Sequence, residues 1–328
     1  MPTFSRIRNS VFRKQIAVVA LVILIAFAIR TLLATNKPIV QSNRLVLGVV
    51  RHHMLDPLIY AHEIYAVSSD GSGRVDERIP NLSGEFAEWS SDKQWIVYNE
   101  FVDNYKGAVK IMRSDGSQKR EVAVSDFDGG VPTVPTWSPD GLQIAYYIRD
   151  DETHAGIYLV NVECFLQNQN DCQLHPRFLT LGYEPDWSPD GQRILYTGLV
   201  SLGVYVIDVS GKSAPLFLTP GLQYCGDPQW SLDGERIAFG CSGKIYVMNA
   251  DGSNTIAIAD GGEPQWSPDG QRIAFVSSQD GLGRCIAGTC GSGGVYTNAI
   301  FMLNVDGGNL VRASLRDDES VRWYTWVP

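Results

Sequence analysis

No HExxH, no GxSxG and no phosphate-binding Walker sequence occurs in the 328 residues. The short motifs of zinc proteases, α/β-hydrolases and P-loop enzymes are therefore missing. Basic charge is in short supply: 27 Lys and Arg stand against 36 Asp and Glu, a formal net charge of −9. Sequence-independent binding to DNA or RNA needs a basic face, so a nucleic-acid partner is not expected. None of the six cysteines forms a CxxC pair, which argues against a zinc ribbon or a thioredoxin motif. Histidine is scarce: His52, His53, His62, His154 and His175. Adjacent His52 and His53 would point apart in an extended strand, an awkward pair for one metal. Asp126-Phe127-Asp128-Gly129 starts like a calcium loop but lacks a ligand where the bidentate Glu belongs. The chain is 44% hydrophobic, too apolar for disorder and long enough for one large domain or two small ones.

Acidic residues are absent from the first 34 positions, which hold Arg6, Arg8, Arg13, Lys14 and Arg30. Setting those five aside leaves 22 basic against 36 acidic side chains, a net of −14 on the body. Ile16 to Ile29 is an uninterrupted apolar run, and counting past Arg30 to Ala34 gives 19 residues, enough for one membrane-spanning helix. An arginine near the end can snorkel to the interface. The alternative is a cleaved secretory signal cut after Ala28. Both readings leave the N-terminus in the cytoplasm and carry the body across, because the positive charges precede the run. The expected layout is a basic cytoplasmic tail at 1–15, a transmembrane signal anchor at 16–34, a linker at 35–41 and a body at 42–328, extracytoplasmic in the periplasm or at the cell surface.

The body is a repeat. Trp89-Ser90-Ser91-Asp92, Trp137-Ser138-Pro139-Asp140-Gly141, Trp187-Ser188-Pro189-Asp190-Gly191, Trp230-Ser231-Leu232-Asp233-Gly234 and Trp266-Ser267-Pro268-Asp269-Gly270 share one pattern. Their tryptophans lie 48, 50, 43 and 36 residues apart. Each is followed by a strand-like run such as Ile144-Ala145-Tyr146 or Ile273-Ala274-Phe275. Between them recurs a second strand, as in Ile157-Tyr158-Leu159-Val160 and Ile245-Tyr246-Val247-Met248, often closed by Asp-Gly. β-rich units at this period mean a propeller or an array. The second strand occurs six times, but the Trp hairpin only five. Arg322 to Pro328 reads as a sixth Trp strand that stops at its turn, and Arg44-Leu45-Val46-Leu47 as its missing partner. Joining the ends rebuilds a repeat and shields the sheet edges. The expected fold is all-β: a six-bladed β-propeller behind an N-terminal transmembrane or signal-anchor helix.

The WSPDG-x-x-IAF and IYVMN-x-DG repeats resemble the TolB-type β-propeller, seen also in the propeller of prolyl-oligopeptidase relatives. The resemblance implies a periplasmic envelope scaffold that binds partner proteins. Unlike TolB, the chain reads as without a small α/β domain before the propeller, and unlike the peptidases it reads as without a hydrolase domain after it.

The repeated Trp reads as a wedge between blades, and Ser-Pro-Asp-Gly as a turn device. The tight turns share one face. The longer loops, 51–61, 124–130 and 277–297, share the other, where binding function usually sits. The exception is the insertion from Glu163 to His175. That geometry pairs Cys164 with Cys172, Cys225 with Cys241, and Cys285 with Cys290. Period-two alternation turns the residues one and three positions before each Trp away from Trp and its preceding Pro. Glu88, Glu184, Asp186, Asp227 and Glu263 would then converge on a central channel, where they would attract a cation or a basic peptide segment. No cofactor is expected, although calcium suits such oxygen ligands. The leading function is a membrane-anchored scaffold for a protein, a peptide or an envelope polymer. The alternative is a carbohydrate-active or other lyase or hydrolase using channel-mouth carboxylates.

Overall fold

The computed structural model describes residues 44–52, 60–68, 74–75, 85–101, 107–124, 133–149, 155–168, 171–277, 299–313 and 319–327. The apolar leader, Cys285, Cys290, Asp126 to Gly129, His53 and His154 lie outside them. Among the described residues no helix is long and apolar enough to cross a membrane.

The strands pair into six four-stranded antiparallel sheets. β1 (Arg44–His52), β2 (Tyr60–Ser68) and β3 (Arg74–Val75) make three strands of the first. The next five sheets each use four consecutive strands. The second runs from β4 (Glu85–Trp89) through β5 (Trp95–Phe101) and β6 (Gly107–Arg113) to β7 (Arg120–Val124). The third holds β8 (Thr133–Trp137), β9 (Gln143–Arg149), β10 (Ala155–Asn161) and β11 (Arg177–Thr180). The fourth holds β12 (Tyr183–Trp187), β13 (Arg193–Thr197), β14 (Val204–Asp208) and β15 (Leu216–Phe217). The fifth holds β16 (Cys225–Trp230), β17 (Arg236–Cys241), β18 (Lys244–Asn249) and β19 (Ile256–Asp260). The sixth holds β20 (Gly262–Trp266), β21 (Arg272–Ser277), β22 (Ala299–Asn304) and β23 (Val311–Arg312). Finally β24 (Glu319–Val327) pairs with β1, Leu45 opposite Trp326, so the last strand joins the first sheet.

The tryptophans make the joints. Trp89, Trp137, Trp187, Trp230, Trp266 and Trp326 are all buried. Each of the last five packs on the middle strands of the preceding sheet: Trp137 against Val97 and Val109, Trp187 against Ala145 and Ile157, Trp230 against Leu195 and Val206, Trp266 against Ala238 and Val247, and Trp326 against Ala274 and Ile300. The indole N–H of Trp137 donates to the Glu88 carbonyl (3.3 Å), that of Trp266 to Gln229 (3.3 Å) and that of Trp326 to Gln265 (3.4 Å). A large ring gives apolar contact and, at these joints, a backbone bond across the seam.

The WSPDG turns explain their own residue choice. Ser138 Oγ donates to Asp140 Oδ1 (2.5 Å) and accepts the Gln143 N–H (2.9 Å), while Asp140 accepts the Leu142 N–H (2.9 Å). The same Ser–Asp bond recurs at Ser90, Ser188, Ser231 and Ser267. Gly141 closes the turn at φ +70, a left-handed conformation that costs glycine nothing. The second sheet departs from the pattern. Lys93 occupies the glycine position at φ 61 and is exposed. Left-handed backbone costs an L-residue about 1–2 kcal/mol. Lys93→Gly should therefore raise the unfolding free energy by about 1 kcal/mol, read from urea denaturation at constant m-value. A neutral or destabilising result would contradict this account of the turn.

The insertion between β10 and β11 carries a short helix, α1 (Glu163–Leu166), and the disulfide Cys164–Cys172. Cys225 and Cys241 form the second disulfide, joining the start of β16 to the end of β17, directly opposite each other. Two of the three expected cysteine pairs are thus present, and the third lies outside the described residues.

Candidate functional site

Each inner strand of the second to sixth sheets is bent at the same place. The ladder skips between Glu85 and Glu88, Thr133 and Thr136, Tyr183 and Asp186, Gly226 and Gln229, and Gly262 and Gln265. At every skip the residue three before Trp has a positive φ: Phe86 (51), Val134 (48), Glu184 (55), Asp227 (50) and Glu263 (53). In four of the five a proline follows. A proline disfavours the right-handed region for the residue before it, but Phe86, followed by Ala87, takes the same left-handed conformation, so the bulge and not the proline sets it. For β-branched Val134 that is a marked outlier. Strained backbone of this kind persists only where its surroundings over-determine it, and it concentrates at functional sites.

The bulge corrects the period-two reading. Strict alternation would put the prolines on the side away from the acids. Instead Pro135, Pro185, Pro228 and Pro264 line the same cavity as the five carboxylates. That cavity measures about 550 Å³ and is lined by inner-strand residues of β4, β8, β12, β16, β20 and β24. All five expected site residues meet there, but they do different work.

Glu88 and Asp186, one position before Trp, act as latches. Glu88 Oε1 accepts the backbone N–H of Trp137 (3.2 Å), and Asp186 Oδ2 accepts that of Trp230 (2.7 Å). Gln229 makes the same bond to Trp266 (3.1 Å). An amide thus serves this position as well as an acid. Burial, then the neighbouring Asp186 charge, pushes Glu88 up to about 8, against the Trp137 N–H bond that pulls it down. Burial pushes Asp186 up to about 7.

Glu184, Asp227 and Glu263, three positions before Trp, form a second group on adjacent blades. Glu184 Oε2 accepts the Asp227 N–H (2.8 Å) and the Thr197 hydroxyl (2.8 Å). Asp227 in turn accepts from the Glu263 backbone, and it shares a side-chain bond with Glu184. Burial first, then the Glu184 and Glu263 charges, hold Asp227 well above the usual carboxylate range. The Tyr324 hydroxyl donates to the Glu263 carbonyl and to that of Ala274 (3.1 Å), tying the last strand to this group. Among the described residues no group of three His, Cys, Asp or Glu has the arrangement of a metal site. His52 and His62 lie on β1 and β2, and His175 is exposed in the α1 insertion.

Sequence reasoning missed the bulge and the latch. The signal for both was present: an acid or amide directly before Trp, and Pro directly after the strained residue.

The comparisons with known proteins agree with this architecture. No family model matches the chain. The Tol-Pal system protein TolB of Alcanivorax borkumensis is 27% identical over 137 residues, which is 42% of this chain and 29% of that protein. The crystal structure of TolB from Acinetobacter baumannii superposes with a TM-score of 0.63 at 18% identity, over 87% of this chain and 66% of that one. A protein assigned as TolB from Agrobacterium tumefaciens gives 0.56 at 20% identity, over 88% of this chain and 100% of that one. The match thus spans less than two thirds of the Alcanivorax and Acinetobacter proteins. Repeated WSPDG turns, Trp-wedged sheets and these likenesses together give the body a β-propeller fold similar to that of the TolB structures.

Proposed function

We propose that the chain is an extracytoplasmic binding scaffold, held to a membrane by its leader, whose six sheets work as one closed six-bladed ring. It captures a partner protein or basic peptide segment at the acid-lined cavity. The observation that carries this reading is the cavity of about 550 Å³ walled by carboxylates from neighbouring blades. Burial holds Glu88, Asp186 and Asp227 above the usual carboxylate range, and a cationic group entering the cavity would favour their ionised forms, so capture should strengthen as pH rises. The two disulfides support an oxidising compartment. The likeness to TolB supports a protein partner. Loops carried on a rigid scaffold suit capture.

The test compares the full chain with the variant Glu184→Gln, Asp227→Asn, Glu263→Gln in capturing a cross-linked set of envelope proteins. Partners held by the native chain should be lost about tenfold or more from the folded variant, and native capture should weaken with salt. Equal capture by both would move the site off the cavity and overturn the reading.

A further inference from the structure

A second cavity, about 360 Å³, opens where β16 begins and β17 ends, and shares Tyr183, Glu184 and Asp227 with the first. It exists because side chains are missing. At this level the cross-strand pairs of three sheets are Glu85–Asn99, Thr133–Tyr147 and Tyr183–Thr197. In the fifth sheet the pair is Gly226–Gly240. On the next strand Gly262 has no atom within 4 Å of where a Cβ would stand, and at Gly240 the nearest atoms are 3.8 Å away. Neither Gly240 nor Gly262 has a positive φ, so the backbone does not require glycine there. What the glycines provide is room.

The room has two kinds of wall. Glu184 and Asp227 stand on the side toward the larger cavity, bonded to each other as described. At the lip, Leu202 is 42% exposed and Tyr224 70% exposed. The Cys225–Cys241 disulfide lines the pocket and clamps the ends of the two strands that form it. An acidic end behind an apolar lip complements a long side chain with an apolar stem and a cationic head, whose approach would draw the proton from Asp227, an acid that burial holds well above the usual range. The body's own net charge of −14 favours such a partner over an acidic one.

We propose that this pocket holds one arginine side chain of the bound segment, its guanidinium against Glu184 and Asp227 and its stem along Leu202 and Tyr224. The planar guanidinium, less strongly hydrated than an ammonium, suits a half-buried carboxylate pair and an aromatic lip together. The inference rests on the reading that the larger cavity takes a basic segment, and gives one residue of that segment its place.

The probes are blocked pentapeptides, Gly-Gly-Arg-Gly-Gly and its citrulline and lysine counterparts, titrated calorimetrically into the full chain. Citrulline keeps the shape and removes the charge. The arginine peptide should bind about tenfold or more tighter than the citrulline peptide, a difference of about 1.4 kcal/mol. Gly262→Leu fills the pocket from a position with free space, and should lose the arginine peptide by a similar factor while keeping the native melting temperature. If Gly262→Leu proves unfolded, Gly240→Ala is the second variant. Citrulline binding equal to arginine, lysine binding tighter than arginine, or arginine binding unchanged in the filled variant would overturn the proposal. If the filled variant binds normally and Glu184→Gln, Asp227→Asn does not, the larger-cavity reading survives and this pocket falls. If no basic peptide binds the native chain, both fall.

Discussion

Trp137→Ala is expected to lower the unfolding free energy by about 3–5 kcal/mol, the range for emptying a large aromatic from a core. Trp137 is 4% exposed and sits in a cluster with Val97, Val109, Ile111 and Ile144, which come from two sheets. Removing it opens a cavity at a seam, where no hydrogen-bonded ladder restrains the strands on either side. The loss should be measurable as a lower urea midpoint and as earlier hydrogen exchange in β5 and β8. A companion pair separates ring packing from hydrogen bonding. Trp137 donates to the Glu88 carbonyl at 3.3 Å, whereas the Trp187 indole N–H is buried with no partner among the described residues. Trp137→Phe discards a bond, and Trp187→Phe discards an unsatisfied donor. The second should cost about 1 kcal/mol less than the first. Equal costs would mean that the seam bond contributes nothing.

Stability should fall as pH rises from about 5 to 8. The sign follows from the cavity acids. Glu88 is raised from 4.5 to about 8, and Asp186 from 3.8 to about 7, burial being the first cause in both. Asp227 is raised as well, by burial and then by Glu184. Between the ordinary and raised values the native protein holds protons that the unfolded chain has released. Unfolding then releases protons, and raising the pH favours it, by about 1.4 kcal/mol per pH unit for each such proton. This contribution is fully present below the ordinary carboxylate values and is lost as pH climbs through the raised ones. The turn aspartates act in the opposite window. Asp190 and Asp233 are lowered, first by the Ser188 and Ser231 hydroxyls and then by backbone N–H groups. Their contribution is present above the ordinary value and is lost only on further acidification. The melting temperature should therefore peak on the acid side of neutrality. Glu88→Gln, which keeps an acceptor for the Trp137 N–H, should flatten the slope between pH 5 and 8. A native profile that is flat or rising over that interval would refute the assignment, and so would a Glu88→Gln profile as steep as the native one.

The Gln229–Trp266 bond makes that substitution a fair one, because the fold itself uses an amide at the corresponding position. The cavity therefore combines two functions that a list of acids does not separate. Glu88 and Asp186 hold neighbouring blades together, and their replacement reads out in stability. Glu184, Asp227 and Glu263 line the same cavity, and on the proposed binding reading their replacement would read out in capture.

Much was legible in the residues themselves. The Trp-Ser-Pro-Asp-Gly copies specify a turn through bonds that span only two to five residues, such as Ser138 to Asp140 and to Gln143. Interactions that local are written in the chain. Period-two runs such as Ile157-Tyr158-Leu159-Val160 declared their strands for the same reason, since alternation is a property of the extended backbone. The pairing of β24 with β1 followed from an unmatched strand at each end, because a sheet edge without a partner is costly. Two cysteine pairs followed from their placement on the same hairpin or insertion.

What the tertiary structure alone decided is the inner wall. Alternation predicted a simple division between acids and prolines, but the inner strands of the second to sixth sheets each carry a bulge. The bulge places one residue in the left-handed region, with a proline after it in four of the five. The Glu184–Asp227 contact joins residues 43 apart, and the Glu88–Trp137 latch joins residues 49 apart. No local pattern encodes such distances. The acids' raised proton affinities come from burial, which exists only once neighbouring sheets have packed together. The pocket at Gly226, Gly240 and Gly262 is likewise invisible one residue at a time. It appears only when three glycines from three strands are brought to one place, with Glu184 Oε2 3.2 Å from where a Gly226 Cβ would stand and the space beside Gly240 and Gly262 left open.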